Sequence, residues 1–126
     1  MDTEFLLDTV IGAAIEVHRA LGPGLLESAY HRCLLIELGH AGLRCESEAP
    51  VAVAYKGEVV EVAYRADMLV EDRILLELKA VERLTEKHKA QMLTYLRLMN
   101  VRIGLLINFN EVLLKHGIRR VVNGYE

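Results

Sequence analysis

The sequence predicts an α/β fold in which helices flank a mixed central sheet. Apolar residues recur with helical spacing near the N-terminus and around residue 90, and they alternate with polar residues between positions 51 and 78. The nearly continuous apolar run at 101–109 is typical of a strand that is covered on both faces. The predicted order of elements is therefore ααβββαββ, and the helix at 85–99 is long enough to connect two parallel strands.

Two helices are predicted in the N-terminal third of the chain. Helical spacing over 4–20 ends at Gly22-Pro23-Gly24, because glycine and proline interrupt a helix. A second helix, over 25–39, ends at the glycines that follow it. Both helices carry apolar residues on one side, so they are expected to pack on the sheet.

The predicted strands are separated by recognisable turns. Alternation begins at Val51 and resumes after Lys56-Gly57 as a long strand over 60–70, and the next strand follows at 74–78. The last strand is expected within 112–122. These elements fill the chain, so residues 1–126 are predicted to form one domain.

Composition narrows the classes of function. The chain has 126 residues, of which 52% are hydrophobic and 26% charged, which favours a packed core over disorder. A net charge of −3 argues against a surface that is basic all over for nucleic acid. No apolar run approaches the ~20 residues of a membrane helix. No secretory signal is visible, and Cys33 and Cys45 lack zinc-site spacing, so reduced thiols and a cytoplasmic location are expected.

Strand parity brings two carboxylates and a lysine together. The even positions of 60–70 and 74–78 are apolar and are expected to share the core face, which leaves Asp67, Glu77 and Lys79 on the opposite face. A three-residue loop at 71–73 sets the antiparallel register. Asp67 then lies opposite Glu77, and Arg65 lies opposite Lys79.

Opposed carboxylates predict a metal site, although a second interpretation stays open. Their Cβ atoms are expected ~4.5–5.5 Å apart, where two negative charges repel each other. A divalent cation would remove that penalty, and oxygen ligands without thiolates favour Mg²⁺ or Mn²⁺. In the alternative, Asp67 and Glu77 are solvated hairpin charges that pair with Arg65 and Lys79.

Several motifs resemble those of a known family. Asp67, Glu77 and Lys79 resemble the D…(D/E)xK signature of the PD-(D/E)XK nuclease superfamily. Residues 24–30 spell G-x-x-E-x-x-Y, which resembles the signature of the bacterial and archaeal GxxExxY family, usually placed in that superfamily. Residues 91–96 look like the Q-x-x-x-Y element of RecB-like members, and 104–109 are also similar to the family pattern. One departure is Ala66, where the superfamily often has proline.

The resemblance implies a restriction-endonuclease-like αβββαβ core with an extra N-terminal helix and an active site on the hairpin. It implies metal ligands at Asp67, Glu77 and the main-chain carbonyl of Leu78, with Glu27 as a further ligand. Glu27 at a helix start also suits the helix dipole by ~0.3–1 kcal/mol, so a purely structural role is the alternative. The residues expected to act in catalysis are Lys79, Glu77, Asp67, Glu27 and Gln91, and those expected to contact substrate are Gln91, Tyr95, Tyr30 and Lys87.

The sequence leaves two functions open. The first is a metal-dependent nuclease that uses Mg²⁺ or Mn²⁺ to hydrolyse phosphodiester bonds of DNA or RNA, with nucleic acid and not a membrane as its partner. The second is a catalytically silent module of the same fold that binds or scaffolds. In that case the apolar segment 101–107 could form the interface of a homodimer.

Overall fold

A computed structural model of the chain describes residues 1–124, apart from the side chains of residues 61–63. The helices are α1 (Thr3–Leu21), α2 (Glu27–His40) and α3 (Glu86–Met99). The strands are β1 (Cys45–Tyr55), β2 (Glu58–Val70), β3 (Ile74–Lys79), β4 (Ile103–Asn108) and β5 (Ile118–Val122). A short 3₁₀ helix, Leu114–Gly117, precedes β5. The predicted α/β class and the predicted order of helices and strands are confirmed.

The five strands form one mixed sheet in the order β1-β2-β3-β4-β5. Neighbouring strands are antiparallel except β3 and β4, which run parallel. Helix α3 connects that parallel pair, as its length predicted. The central strands β3 and β4 therefore carry helices on their faces and are almost entirely buried.

Two apolar cores lie on opposite sides of the sheet. The larger core joins α1 and α2 to the even positions of β2 and β3, such as Met68 and Leu76. The smaller core joins α3 to the other face, where Met92 and Leu96 pack near Leu75 and Leu106. The face opposite the larger core is thus covered by α3 in the middle of the sheet.

Local sequence chemistry sets the boundaries of the elements. The Asp2 side chain accepts a hydrogen bond from the amide of Phe5 and caps α1, and Thr85 accepts from the amide of His88 and caps α3. At the first hairpin, Lys56 and Gly57 both have positive φ, 49° and 82°. Two consecutive residues with positive φ form a turn whose twist matches the right-handed twist of the flanking strands. This accounts for the tight turn that the sequence predicted here.

The register of the second hairpin follows the prediction at its closed end and departs from it further on. Val70 pairs with Ile74 and Met68 with Leu76. Among the described backbone pairs the ladder ends there, so the expected opposition of Asp67 to Glu77, and of Arg65 to Lys79, does not form as strand pairing. The next backbone amides donate to side-chain carboxylates instead of main-chain carbonyls.

The segment proposed as a dimer interface lies inside the chain's own core. Residues 103–108 are all buried, with Leu105 and Ile107 in the larger core and Leu106 in the smaller one. The prediction that 101–107 offers an interface is wrong, because helices of the same chain already cover both faces. Both cysteines are free and half-buried. Within residues 1–124 no helix is long and apolar enough to span a membrane.

Candidate functional site

The proposed site lies where β2 and β3 part. The amide of Asp67 donates to Oε2 of Glu77 at 2.8 Å, and the amide of Leu78 donates to Oδ2 of Asp67 at 2.7 Å. Each carboxylate thus crosses the gap between the strands and accepts from the backbone of the other strand. Because each side chain accepts from the main chain of the other strand, this crossed pair holds both carboxyl groups in place at the junction.

Glu77 is a buried acid beside another acid. Its side chain is 5% exposed, and burial together with the nearby charge of Asp67 raises its pKa from 4.5 to about 8. The hydrogen bond from the Asp67 amide and the charge of Lys79 act in the opposite direction. A buried carboxyl with this pKa is poised to lose its proton when a cation approaches, because a cation favours the charged form.

Lys79 lies at the end of β3, two residues after Glu77, and is partly exposed. Its charge lowers the pKa of Glu77, which places the ammonium within electrostatic reach of that carboxylate. The main chain on either side of it is fixed: the Lys79 carbonyl accepts from the amide of Phe109 at 2.8 Å. The strand end therefore presents the lysine from a rigid backbone.

Asn108 anchors the chain just after Lys79. It is fully buried, its Oδ1 accepts from the amide of Val81 at 3.0 Å, and its Nδ2 donates to the Val81 carbonyl at 2.9 Å. This two-way bond acts as a side-chain substitute for strand pairing. It explains a polar residue at the end of the apolar strand β4, and it fixes the path of the segment that leaves the site.

Glu27 reaches the same place from helix α2. It is the first residue of that helix, and its Oε2 accepts from the amide of Ala80 at 3.3 Å. That bond brings a third carboxylate to the C-terminal end of β3. The structure therefore places Glu27 beside the site. Glu27 is also exposed at the start of α2, so it still interacts favourably with the helix dipole.

The G-x-x-E-x-x-Y string has a structural explanation. Gly24 has φ 98°, a conformation that favours glycine, in the loop just before α2. The Tyr30 hydroxyl donates to the Gly22 carbonyl at 2.7 Å and accepts from the Leu25 amide at 3.0 Å. The tyrosine thus ties down the loop that starts α2, and through it the position of Glu27.

The predicted substrate contact of Tyr30 is not compatible with this geometry. The side chain is fully buried, and its ring stacks on Phe109 with centroids 4.6 Å apart. Its hydroxyl is used by the loop. Tyr30 therefore positions the site residue Glu27 from within the core and does not face the substrate.

Helix α3 contributes the other side of the junction. Tyr95 is 8% exposed, and burial followed by the charge of Glu77 raises its pKa, so its hydroxyl lies within electrostatic reach of the carboxylate pair. Its ring centroid is 6.4 Å from that of Tyr64 on β2. Gln91, one turn earlier, and Lys87 are exposed on α3. Their predicted contacts with a ligand stay predictions.

A cleft opens beside Asp67 between α2 and the β1–β2 hairpin. Its volume is about 740 Å³, within the usual range of about 300–1,000 Å³ for ligand sites. Glu27, Asp67 and Leu78 line it, so these three residues border an open space large enough for a substrate. The full lining is Glu27, Ser28, His31, Arg32, Leu35, Ile36, Ser47, Glu48, Asp67 and Leu78.

The donor set fits a hard divalent cation that keeps part of its water shell. Within residues 1–124, no three side chains of the His, Cys, Asp and Glu types are gathered closely enough to hold one ion. Asp67 and Glu77 supply two carboxylates, and the main chain of Leu78 lies directly against Asp67. Mg²⁺ is commonly held by one or two carboxylates with water and substrate phosphate, so this set suffices.

Comparison with known proteins identifies the family. The sequence profile described as the PD-(D/E)XK nuclease superfamily matches residues 4–121, nearly the whole chain. The chain belongs to the PD-(D/E)XK nuclease superfamily. Within this superfamily fold, Asp67 lies on β2 and Glu77 and Lys79 lie on β3, and their roles at a metal site stay predictions.

A solved structure agrees with the fold of this PD-(D/E)XK protein. The crystal structure of SSO0001 is similar with a TM-score of 0.56 at 20% sequence identity. The match covers 79% of this chain and 52% of SSO0001, so the chain spans about half the length of that protein. At this identity the likeness supports the restriction-endonuclease-like fold alone. No curated protein matches the chain.

Sequence reasoning missed the residues that line the cleft away from the carboxylates. His31, Arg32, Ser47 and Glu48 were not singled out as candidate site residues. The helical spacing of Glu27, His31 and Leu35, four residues apart, was the available signal. This spacing indicates a shared cleft wall only when Glu27 is already known to lie at the site.

Proposed function

We propose that this protein is a Mg²⁺- or Mn²⁺-dependent nuclease of the GxxExxY type that hydrolyses phosphodiester bonds in nucleic acid. The observation that carries the proposal is the crossed pair of carboxylates at a strand junction, with Lys79 two residues further on and an open cleft beside it. Superfamily membership supports a nucleic-acid substrate and a divalent metal.

The residues have distinct roles in this proposal. Asp67, Glu77 and the carbonyl of Leu78 would hold the metal, and Glu27 would reach it from the cleft wall through a water molecule. The metal, when bound, lowers the pKa of water and neutralises charge on the phosphate. Lys79 orients the attacking water or stabilises the negative charge that builds up on the phosphate oxygens.

Burial of Glu77 serves this chemistry. Because Glu77 has its pKa raised to about 8 by burial and by Asp67, the metal-free pair carries less negative charge near neutral pH than two exposed acids would. A divalent cation held here would favour the ionised form of Glu77, while the crossed hydrogen bonds keep both oxygens in position. The site is held in its geometry by the fold before a metal arrives.

The test is cleavage of a panel of single- and double-stranded DNA and RNA with Mg²⁺ or Mn²⁺. Lys79→Ala is expected to abolish cleavage while its thermal unfolding midpoint stays within a few degrees of the parent. Lys115→Ala, an exposed lysine on the 3₁₀ helix, is the matched control and should cleave normally. Cleavage by Lys79→Ala at the parent rate would refute the proposed role.

A silent scaffold of the same fold is the competing function, and one observation favours it. Each carboxylate already has a structural task, since it accepts a backbone hydrogen bond from the opposite strand. Metal titration separates the two functions. A metal site should raise the unfolding midpoint in millimolar Mn²⁺, whereas a scaffold whose carboxylates only join strands should show no specific gain.

A further inference from the structure

The cleft wall formed by α2 has an ordered chemistry. Glu27, His31 and Leu35 line it at intervals of four residues, which stack on one helix face about 6 Å apart. Ser28, Arg32 and Ile36 form a second, parallel row. The side chains of both rows change in the same way with distance from the carboxylates. Glu27 and Ser28 are acidic or small, His31 and Arg32 are polar or cationic, and Leu35 and Ile36 are apolar.

The opposite wall of the cleft is polar. It is formed by Ser47 and Glu48 of β1, and Nε2 of His31 lies 2.8 Å from Oγ of Ser47. This hydrogen bond joins the two walls one helical turn away from Glu27. It sets the width of the cleft at that level, and it leaves the exposed Arg32 at the side.

The charged side chains that line the cleft determine where an anion can bind. Glu27, Glu48 and Asp67 are acids, while Arg32 is the guanidinium among the described lining residues. A phosphate at the carboxylate end requires the metal to offset those acids. A second phosphate of the same strand finds its positive partner at Arg32, about one helical turn away.

The far end of the cleft suits a base or sugar. Leu35 and Ile36 line it, and Ile36 is 56% exposed although it is a large apolar side chain. An exposed apolar surface next to a guanidinium offers packing for one face of a nucleobase. The cleft volume of about 740 Å³ accommodates a unit of nucleotide size. An apolar side chain can pack on the face of a base only where that base is unstacked from its neighbours, as in a single strand.

We propose that this cleft binds an unpaired nucleic-acid strand, with Arg32 on the phosphate next to the cleaved bond and Leu35 and Ile36 against the adjoining nucleoside. The proposal deepens the nuclease function and rests on it for the identity of the ligand. It assigns the phosphate contact to Arg32 and the preference for an unpaired base to Ile36.

The experiment measures binding separately from cleavage. A fluorescein-labelled single-stranded oligonucleotide and its duplex are titrated with Lys79→Ala protein in Mg²⁺, and anisotropy is followed at several salt concentrations. The single strand is expected to bind more tightly than the duplex. Adding Arg32→Ala should weaken single-strand binding about tenfold and reduce the slope of log K against log salt by about 0.7.

Two further variants sharpen the result. Arg19→Ala removes an exposed arginine of α1 that lies outside the cleft lining, and it should leave both affinity and salt slope unchanged. Ile36→Ser should weaken binding without changing the salt slope, because it removes apolar contact and no charge. Thermal unfolding of each variant establishes that it is folded.

The outcomes distinguish this proposal from the nuclease function itself. Duplex binding as tight as single-strand binding, or a salt slope that Arg32→Ala does not change, would overturn the cleft assignment even if the parent protein cleaves. Arg32-dependent binding of single strands by a parent protein that cleaves nothing would support the cleft and overturn the nuclease function.

Discussion

Replacing Glu77 with glutamine is expected to make the metal-free protein more stable near neutral pH. The glutamine side-chain oxygen can still accept the hydrogen bond that Asp67 donates from its amide at 2.8 Å. What the substitution removes is a buried carboxyl group that must either hold a proton or carry a charge beside a second carboxylate. Substitution at a buried polar site usually destabilises a protein, so a gain is a distinctive result.

The size and sign of the effect follow from the pKa of Glu77. Burial and Asp67 raise it from 4.5 to about 8, so the folded protein holds this proton more tightly than the unfolded chain does. The contribution to stability is therefore fully present below pH 4.5 and is lost as pH rises towards 8. At about 1.4 kcal/mol for each pH unit, the loss amounts to about 3 kcal/mol at pH 7, where Glu77 is ionised in the unfolded chain but still mostly protonated in the folded protein.

The assay is urea unfolding in EDTA at pH 5 and pH 7.5. Glu77→Gln should exceed the parent by about 4 kcal/mol at the higher pH and by much less at the lower one. Glu82→Gln, at an exposed glutamate, is the control and should change stability by less than about 0.5 kcal/mol at both pH values. Millimolar Mn²⁺ should then stabilise the parent more than Glu77→Gln, because the variant has lost a metal ligand.

Two results would refute this reasoning. One is a Glu77→Gln protein that is less stable than the parent at pH 7.5 in EDTA, which would mean that the negative charge holds the junction together. The other is an equal gain from Mn²⁺ in both proteins, which would remove Glu77 from the metal ligands.

Four other substitutions test the parts that support the site. Asp67→Asn should weaken Mn²⁺ binding at least about tenfold by calorimetry, and unchanged affinity would exclude it as a ligand. Tyr30→Phe should cost about 1–3 kcal/mol in urea unfolding, since it removes both loop hydrogen bonds. Asn108→Ala should cost on the order of 3 kcal/mol because the Val81 amide and carbonyl lose their partner, and a neutral result would show that water replaces it. Gly104→Ala should cost about 1–3 kcal/mol, because the new methyl group would lie 2.5 Å from the buried Met92 sulfur, and wild-type stability would mean that Met92 moves freely.

Much of the fold was predictable because its signals are local. Helical spacing, alternation in strands and the glycine-rich turns identified the helices and strands in order, with ends within a few residues for α1, α2, β3 and α3. The crossover followed from the length of α3. The register at Val70 and Ile74 followed from the length of the loop between them.

The details of the site were less predictable because they depend on competition between groups far apart in sequence. Parity correctly linked Asp67 to Glu77, but it could not show that their carboxylates would replace the main-chain partners of β2 and β3. Motif similarity singled out Tyr30 without revealing that its hydroxyl is turned inward to the loop. The contribution of His31 and Arg32 to the cleft emerges only when α2 packs against β1.

The crossed carboxylates have a consequence for judging which relatives are active. Since Asp67 and Glu77 join two strands, a descendant that had lost all chemistry would still be under pressure to keep oxygen acceptors at both positions. Their retention therefore says more about folding than about catalysis. Lys79 is the more informative position, because its ammonium forms none of the hydrogen bonds that join the strands within residues 1–124. An arrangement with both acids and no lysine would identify a pseudoenzyme that keeps the architecture of a nuclease.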